Sequence, residues 1–224
     1  MNDLELTGRA ATHVRDLEES ACALHAHAIS PFRSLQRAAQ AAGIAVKPVS
    51  AFRGFDRQLA IWNAKYRGER PLLDRTGRPL ESAALSPDER VTAILQWSAL
   101  PGASRHHWGT DVDLIDANAV PENYSVQLSV AEFSAAGPFA ALAGWMDSHA
   151  ARFGFFRPFR GIGSGVQPEP WHFSFAPVAE SGRRKLGVEL LYGVIEAAPL
   201  LGKTEVLRRL PEIHAHYVAA IDVP

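Results

Sequence analysis

The sequence predicts an α+β fold, a small and mostly antiparallel sheet flanked by helices, with a C-terminal helical extension. Three observations lead there. Segments of helical periodicity with recognisable caps are intermixed with short runs of period-two alternation. No regular βαβ unit or repeat period recurs along the 224 residues. The last forty or so residues, roughly 180–219, carry helical signals alone, broken near Pro199 and Gly202.

Taken in order, residues 9–29 are rich in Ala, acids and His at helical spacing and predict a first helix ending at Ser30-Pro31. A second helix is predicted from Pro31 to Ala42, with Ser30 as N-cap, Pro31 at the first helical position and Gly43 just past the end. IAVKPVSAF reads as a short strand interrupted or edged at Pro48. RGFDRQLAIWNAKYRG reads as an amphipathic helix with Phe55, Leu59 and Trp62 on one face. Residues 67–88 are rich in Gly, Pro, Arg and Asp and predict a long surface loop or flap. Ser86 with Glu89 three residues on is a capping-box pattern opening a helix over SPDERVTAILQWSAL. PGASRHHWG is then a loop, TDVDLID a strand, 117–137 irregular, FAALAGWMDSHAARFG a helix stopped by Gly154, and WHFSF another strand. The chain thus predicts a single domain over 1–224, with its core at about 30–178 and the helical extension at about 180–219.

Composition narrows the function classes. The 47% apolar content is that of a globular chain able to bury a core without staples. Cys22 is the single cysteine, so a metal site must rest on His and carboxylates rather than thiolates. With 23 basic against 24 acidic residues the chain lacks the basic excess of a general nucleic-acid binder. The N-terminal MNDLELTGRAATHVRDLEES has no basic n-region and no apolar h-region, and no run reaches the length of a membrane span. The expectation is a cytoplasmic protein as written, with action in the periplasm or cell envelope left to another export route.

Two short segments concentrate chemistry-bearing residues. One is Ser104-Arg105-His106-His107-Trp108-Gly109-Thr110-Asp111-Val112-Asp113; the other is Glu169-Pro170-Trp171-His172. Together they supply two imidazoles, a carboxylate ligand and a spare carboxylate. A catalytic zinc ion needs this set: three N/O ligands, an open position for water and a nearby base. If 110–116 is a strand, Asp111, Asp113 and Ile115 face one side and Thr110, Val112 and Leu114 the other. In 171–175, Trp171, Phe173 and Phe175 share a face and His172 and Ser174 the opposite one. Pro168 and Pro170 bias their stretch to polyproline II, whose three-residue turn would bring Glu169 to the side of His172. His13, His25, His27, His149, His214 and His216 are assigned no role, and His107 a place in the pocket wall or behind His106.

These segments resemble those of the LAS-type metallopeptidases, the VanY-like D-alanyl-D-alanine carboxypeptidases, whose pattern is S-x-H-x-x-G-x-A-x-D followed by E-x-W-H. Ser104, His106, Gly109 and Asp113, then Glu169, Trp171 and His172, match it. A third family element, S-G-Y-R-S with a Gln five residues after the Arg, is similar to Ser50-Ala51-Phe52-Arg53-Gly54 and Gln58. The three elements fall in the family's order over residues 50–172.

The resemblance implies one zinc ion on His106, Asp113 and His172, with Glu169 as base. It implies that Arg53 clamps the substrate's terminal carboxylate or the polarised carbonyl, and that Gln58, Ser104 and Trp171 support the substrate pocket. The substrate would be a peptidoglycan-derived peptide ending in D-Ala-D-Ala. A D,D-dipeptidase, an L,D-carboxypeptidase, an endolysin-type endopeptidase and a non-catalytic zinc-containing binding module are the alternatives. One position departs from the pattern: Asp111 stands where the family has Ala. It is counted here among substrate-binding residues, with pairing to a ligand histidine, Arg105 or Arg53 as other uses for its charge.

Overall fold

The computed structural model describes residues 1–18 and 20–222. Near the start, Asn2 and Glu5 exchange side-chain-to-amide bonds, a capping box that closes the short helix α1 (Asp3–Leu6). The stretch that predicts a helix from residue 9 is instead a hairpin, β1 (Val14–Asp16) antiparallel to β2 (Ala23–His25). Helix α2 (Ala26–Ala41) then starts ahead of the expected point, with His25 and not Ser30 as N-cap and Pro31 inside it. Two facts explain the difference. Ala28, Phe32, Leu35 and Ala39 form a buried stripe that runs through the proline, and packing outweighs the one backbone bond that Pro31 omits. The His25 amide also donates to the Gly109 carbonyl (2.7 Å), a long-range tie that no local pattern encodes.

Strand β3 (Val46–Ser50) and helix α3 (Phe55–Tyr66) follow as expected, with Arg53 in the connection between them. The 67–88 segment is more ordered than a flap. It holds a small hairpin of β4 (Leu72–Leu73) and β5 (Pro79–Leu80), buries Leu72, and is tied down where Trp97 Nε1 donates to the Asp74 carbonyl (3.0 Å). Helix α4 (Pro87–Trp97) opens on the expected Ser86–Glu89 capping box.

Strand β6 (Asp111–Asp116) is central and buried along its whole length. Helix α5 (Ala140–His149) precedes β7 (Phe155–Phe156) and β8 (His172–Phe175). The main sheet has the order β3-β6-β8-β7, antiparallel throughout. The extension begins at α6 (Ala176–Lys185) and continues through α7 (Val188–Ala197), α8 (Lys203–Arg208) and α9 (Leu210–Ile213) to a π-type turn over His214–Ala219. Where sequence predicts two helices, Gly187, Gly202 and Arg209 divide the segment into shorter ones.

Two apolar clusters frame the site. Phe32, Leu35, Val112, Leu114, Phe155 and Phe173 fill the space between the sheet and helices α2 and α5. Trp62, Ile94, Leu95 and Trp108 pack with Leu191, Ile195 and Ile213, so the extension belongs to the second core and is not an appended tail. Complete burial of side chains of this size contributes about 1.5–3 kcal/mol each before the entropy of ordering them is charged.

Candidate metal centre and active-site cleft

Sheet register assembles the centre. β6 pairs with β8 so that Asp111 lies opposite Ser174 and Asp113 opposite His172. Residues directly opposite share a face of an antiparallel pair, so both aspartates and His172 meet on one side. Trp171, Phe173 and Phe175 point the other way into the core, as their alternation predicts. His106 arrives on a 3-10 turn (Arg105–Trp108) that ends at Gly109 in the left-handed region, φ 64°. A Cβ on Gly109 would lie 2.5 Å from Val14 Cγ1 and 2.8 Å from the His25 amide nitrogen, so glycine is required both for the turn and for the close approach of the hairpin.

Hydrogen bonds set both histidine tautomers. His106 Nδ1 lies 2.7 Å from the Ala51 carbonyl, which can only accept, so Nδ1 carries the proton and Nε2 offers a lone pair. His172 Nε2 lies 2.9 Å from Asp111 Oδ1 and donates to it, which leaves Nδ1 as the free donor atom. His106 Nε2 is 3.4 Å from Asp113 Oδ2, and His172 Nδ1 is 3.1 Å from Asp113 Oδ1. The ligand atoms of His106, Asp113 and His172 all lie within 4.8 Å of one another. Asp113 Oδ1 is buried, and among the described residues it accepts no hydrogen bond, with His172 Nδ1 as the nitrogen beside it. Two imidazole nitrogens converging on the Asp113 carboxylate, one at each oxygen, make a donor set that fits a tetrahedral zinc ion with one position left open.

Behind this cluster Asp111 is completely buried and takes four bonds. Oδ1 accepts from Arg105 Nε (2.8 Å) as well as from His172; Oδ2 accepts from Thr110 Oγ1 (2.5 Å) and Ser174 Oγ (3.0 Å). Arg105 also donates to Ser174 Oγ (2.6 Å) and lies over the Trp108 ring. Burial opposes the charge of Asp111, but Arg105 and the hydrogen bond from His172 prevail and hold its carboxyl well below the usual range. The expectation that Asp111 touches substrate is therefore corrected: it lies behind His172, outside the cleft, and serves that histidine. This is the carboxylate–histidine arrangement by which metal-ligating imidazoles are commonly oriented.

Glu169 reaches the centre by a different device from the expected polyproline turn. The His172 amide donates back to the Glu169 carbonyl (3.1 Å), closing a four-residue turn with Pro170 second, and Glu169 Oε2 comes to 3.3 Å from His172 Nδ1. Burial, with the charge of Asp113 adding to it, pushes the Glu169 carboxyl up to about 7 against the pull of His172, Arg53 and Lys65. Burial drives His106 down to about 3. It opposes charge on His172 too, but contacts with Asp111 and Asp113 and the charge of Glu169 win and raise that imidazole to about 10. Asp111 at Nε2 and Asp113 and Glu169 at Nδ1 thus favour a positive charge on the ring, and a metal ion at Nδ1 would take the place of its second proton.

Arg53 lies beside the cluster, Nη2 being 4.0 Å from Asp113 Oδ2. Its fork is aimed by Gln58 Oε1 (2.9 Å) and Ser50 Oγ (2.9 Å), and Gln58 in turn donates to the Ala99 carbonyl (2.7 Å). Gln58, counted with the substrate-binding residues, is fully buried and outside the cleft lining, so its support of the pocket runs through Arg53 and not through contact with substrate. His107 does likewise from the backbone side. Its Nε2 accepts the Gly102 amide (3.1 Å), so its Nδ1 donates to the Arg53 carbonyl (2.6 Å). Ser104 and Trp171 line the cleft, both nearly buried. The cleft, about 360 Å³, is shared by His106, Asp113, His172, Glu169 and Arg53, and also by Lys65, Arg70 and Tyr217. Lys65 follows Ile61 at helical spacing, a signal available to sequence; nothing local marks Tyr217, which comes from the far end of the chain.

The family described as VanY, D-alanyl-D-alanine carboxypeptidase, matches residues 21–178, more than half of the chain. The chain belongs to this family. Its VanY membership and its antiparallel α+β architecture agree with the class that the sequence predicts. Two Haemophilus influenzae proteins, each described as an uncharacterized protein, are related to it. One is 33% identical over 121 residues, 53% of this chain and 92% of the relative; the other is 38% identical over 98 residues, 42% and 67% respectively. Among solved structures, VanYB in complex with D-alanine-D-alanine is similar at a TM-score of 0.55 and 19% identity, covering 85% of this chain and 92% of that one. A mutant of the vancomycin resistance D,D-pentapeptidase VanY, from a VanB-type cassette and in complex with Zn(II), is similar at 0.54 and 20%, covering 88% and 90%. At these identities the shared property is the fold.

Proposed function

We propose that this VanY-family chain is a zinc-dependent peptidase that hydrolyses the C-terminal D-alanyl-D-alanine type bond of peptidoglycan-derived peptides. One zinc ion would be held by His106 Nε2, a carboxylate oxygen of Asp113 and His172 Nδ1. The observation that carries the reading is the convergence of His106 Nε2 and His172 Nδ1 on the buried Asp113 carboxylate, all within 4.8 Å of one another, with the Glu169 carboxylate beside them. Zinc bound there would polarise a substrate carbonyl and bring the pKa of a bound water toward ~7.

Each protein group then has one task. Glu169, largely buried beside the ligand set with Oε2 3.3 Å from His172 Nδ1, is suited to accept a proton from the attacking water and to pass it to the leaving amine. Arg53, held by Gln58 and Ser50, presents a planar fork to the terminal carboxylate or to the oxygen that gains charge during attack. Gln58 and His107 keep that fork aimed. Tyr217 and Val218 wall one side of the cleft, which suits a short C-terminal segment better than a chain passing through as in an endopeptidase. The Zn(II) and D-alanine-D-alanine complexes of fold relatives support the choice of metal and substrate.

Metal analysis of the purified protein, combined with mass-spectrometric detection of D-Ala released from a panel of muropeptides, tests the reading. One zinc per chain and loss of a single terminal residue are expected. Stoichiometric zinc without any cleavage would overturn the peptidase assignment and favour a binding module.

A further inference from the structure

Helix α3 begins two residues after Arg53, with Gly54 as its N-cap, and lines the cleft with Ile61 and Lys65. These two lie four residues apart, and Arg70 extends the same wall beyond the helix end. With a rise of about 1.5 Å per residue, Lys65 sits roughly 6 Å farther along the axis than Ile61. Arg53 is engaged with Gln58 and Ser50 next to Asp113. Among the described residues no hydrogen bond or ion pair holds Lys65, whose half-buried ammonium feels the charges of Glu169, Arg70 and Arg53. A half-buried ammonium flanked by two guanidinium groups and one carboxylate, with no direct ion pair among the described residues, is held at a cost that a further anion would relieve.

The charge balance of the lining points the same way. Arg53, Lys65 and Arg70 line the cleft with Asp113 and Glu169, as does Arg105, which is already paired with Asp111. Cations already exceed carboxylates there, and a divalent metal would widen the excess. A peptide carrying its terminal carboxylate alone leaves this wall under-neutralised.

We propose that Lys65 and Arg70 form a second anion subsite, so that the preferred substrate is a peptide bearing another carboxylate, on a side chain or branch within about two residues of the cleaved bond. An extended peptide advances ~3.4 Å per residue, which keeps such a group within reach of a wall that extends one helical turn past Ile61. The inference rests on the reading of the cleft as a peptidase site, and it names the substrate class for that site. Lys65 supplies a mobile point charge and Arg70 an exposed one, so the subsite selects charge rather than shape.

The test uses the zinc-loaded full-length protein and two matched peptides, acetyl-L-Glu-D-Ala-D-Ala and acetyl-L-Gln-D-Ala-D-Ala. The acidic peptide should be favoured about tenfold in kcat/KM, carried in KM, with the preference shrinking as salt is raised. Lys65→Met should bring the ratio of the two toward one, and Lys65→Arg should restore it. Equal hydrolysis of both peptides by the unaltered protein, or a ratio that Lys65→Met leaves intact, would sink the subsite and leave the peptidase reading standing. If neither peptide is cleaved, calorimetry on zinc-loaded Glu169→Gln protein still decides. Tighter, Lys65-dependent binding of the acidic peptide supports the subsite while the hydrolytic reading falls; equal binding of both overturns the subsite.

Discussion

Asp111 Oδ1 lies 2.9 Å from His172 Nε2, on the opposite edge of the imidazole from Asp113 and Glu169. The contact assigns the ring's proton to Nε2 and leaves Nδ1 to face the cleft, and it lies where the family pattern has an alanine. Asp111→Asn keeps the shape but removes the charge that orients the ring and answers Arg105. Zinc affinity, measured by competition with a chromophoric chelator, should fall about 10–100-fold. The metal-free variant should also lose about 1–3 kcal/mol of stability in urea, because Arg105 is left without its full counter-charge. Unchanged zinc affinity would reduce Asp111 to a structural partner of Arg105.

Glu169 touches His172 but is surplus to a three-ligand set, which makes it the group to remove when separating metal binding from turnover. In Glu169→Gln the amide cannot accept the proton, so kcat should drop by about 10²–10⁴ while zinc stoichiometry is retained. A variant that lost zinc and activity together would instead make Glu169 a fourth ligand.

Where local chemistry specifies a feature, it could be read from the sequence. The Ser86–Glu89 capping box and the alternation of β6 and β8 follow from cap preference and side-chain period, whereas the register that sets Asp113 opposite His172 comes from the pairing of the two strands. What could not be read depends on contacts between distant residues. His25 starts α2 because its amide is held by Gly109, and Asp111 turns away from substrate because Arg105 and Ser174 meet it behind the sheet. Glu169 was predicted on the correct side of the chain, but the return bond from the His172 amide, not a polyproline turn, brings it there.

Tyr217 reaches the cleft from the last turn of the chain, held by backbone bonds whose partners lie elsewhere. The Gly165 amide donates to the His216 carbonyl (2.8 Å), and the Asp222 amide to the Pro158 carbonyl (3.0 Å). Gly165 fits against the tyrosine ring so closely that a Cβ there would come within 2.5 Å of it. Tyr217→Ala removes one wall of the cleft while leaving the metal cluster and Glu169 in place. KM for a tripeptide ending in D-Ala-D-Ala should rise several-fold with kcat little altered, and longer peptides should gain relative to short ones. An equal fall in kcat for every peptide length would contradict a role in walling the cleft.

Glu132 organises the 121–133 segment that brings Gln127 and Leu128 to the cleft lining. Its Oε1 accepts from the Gln127 amide (2.9 Å) and the Tyr124 hydroxyl (2.9 Å), its Oε2 from the Ser129 amide (2.7 Å) and hydroxyl (3.1 Å). Burial works against its charge, but these four bonds prevail and hold the carboxyl below its ordinary 4.5. A carboxylate with a depressed folded-state pKa stabilises the fold fully above its unfolded value, and the contribution fades as pH falls through the folded one. Glu132→Gln turns an amide toward donors it cannot accept from and should cost about 1–3 kcal/mol at pH 7. In urea titrations the gap between the two proteins should narrow below the ordinary value of 4.5. A gap that stayed constant into acid would show that the bonds to Glu132 do not depend on its charge.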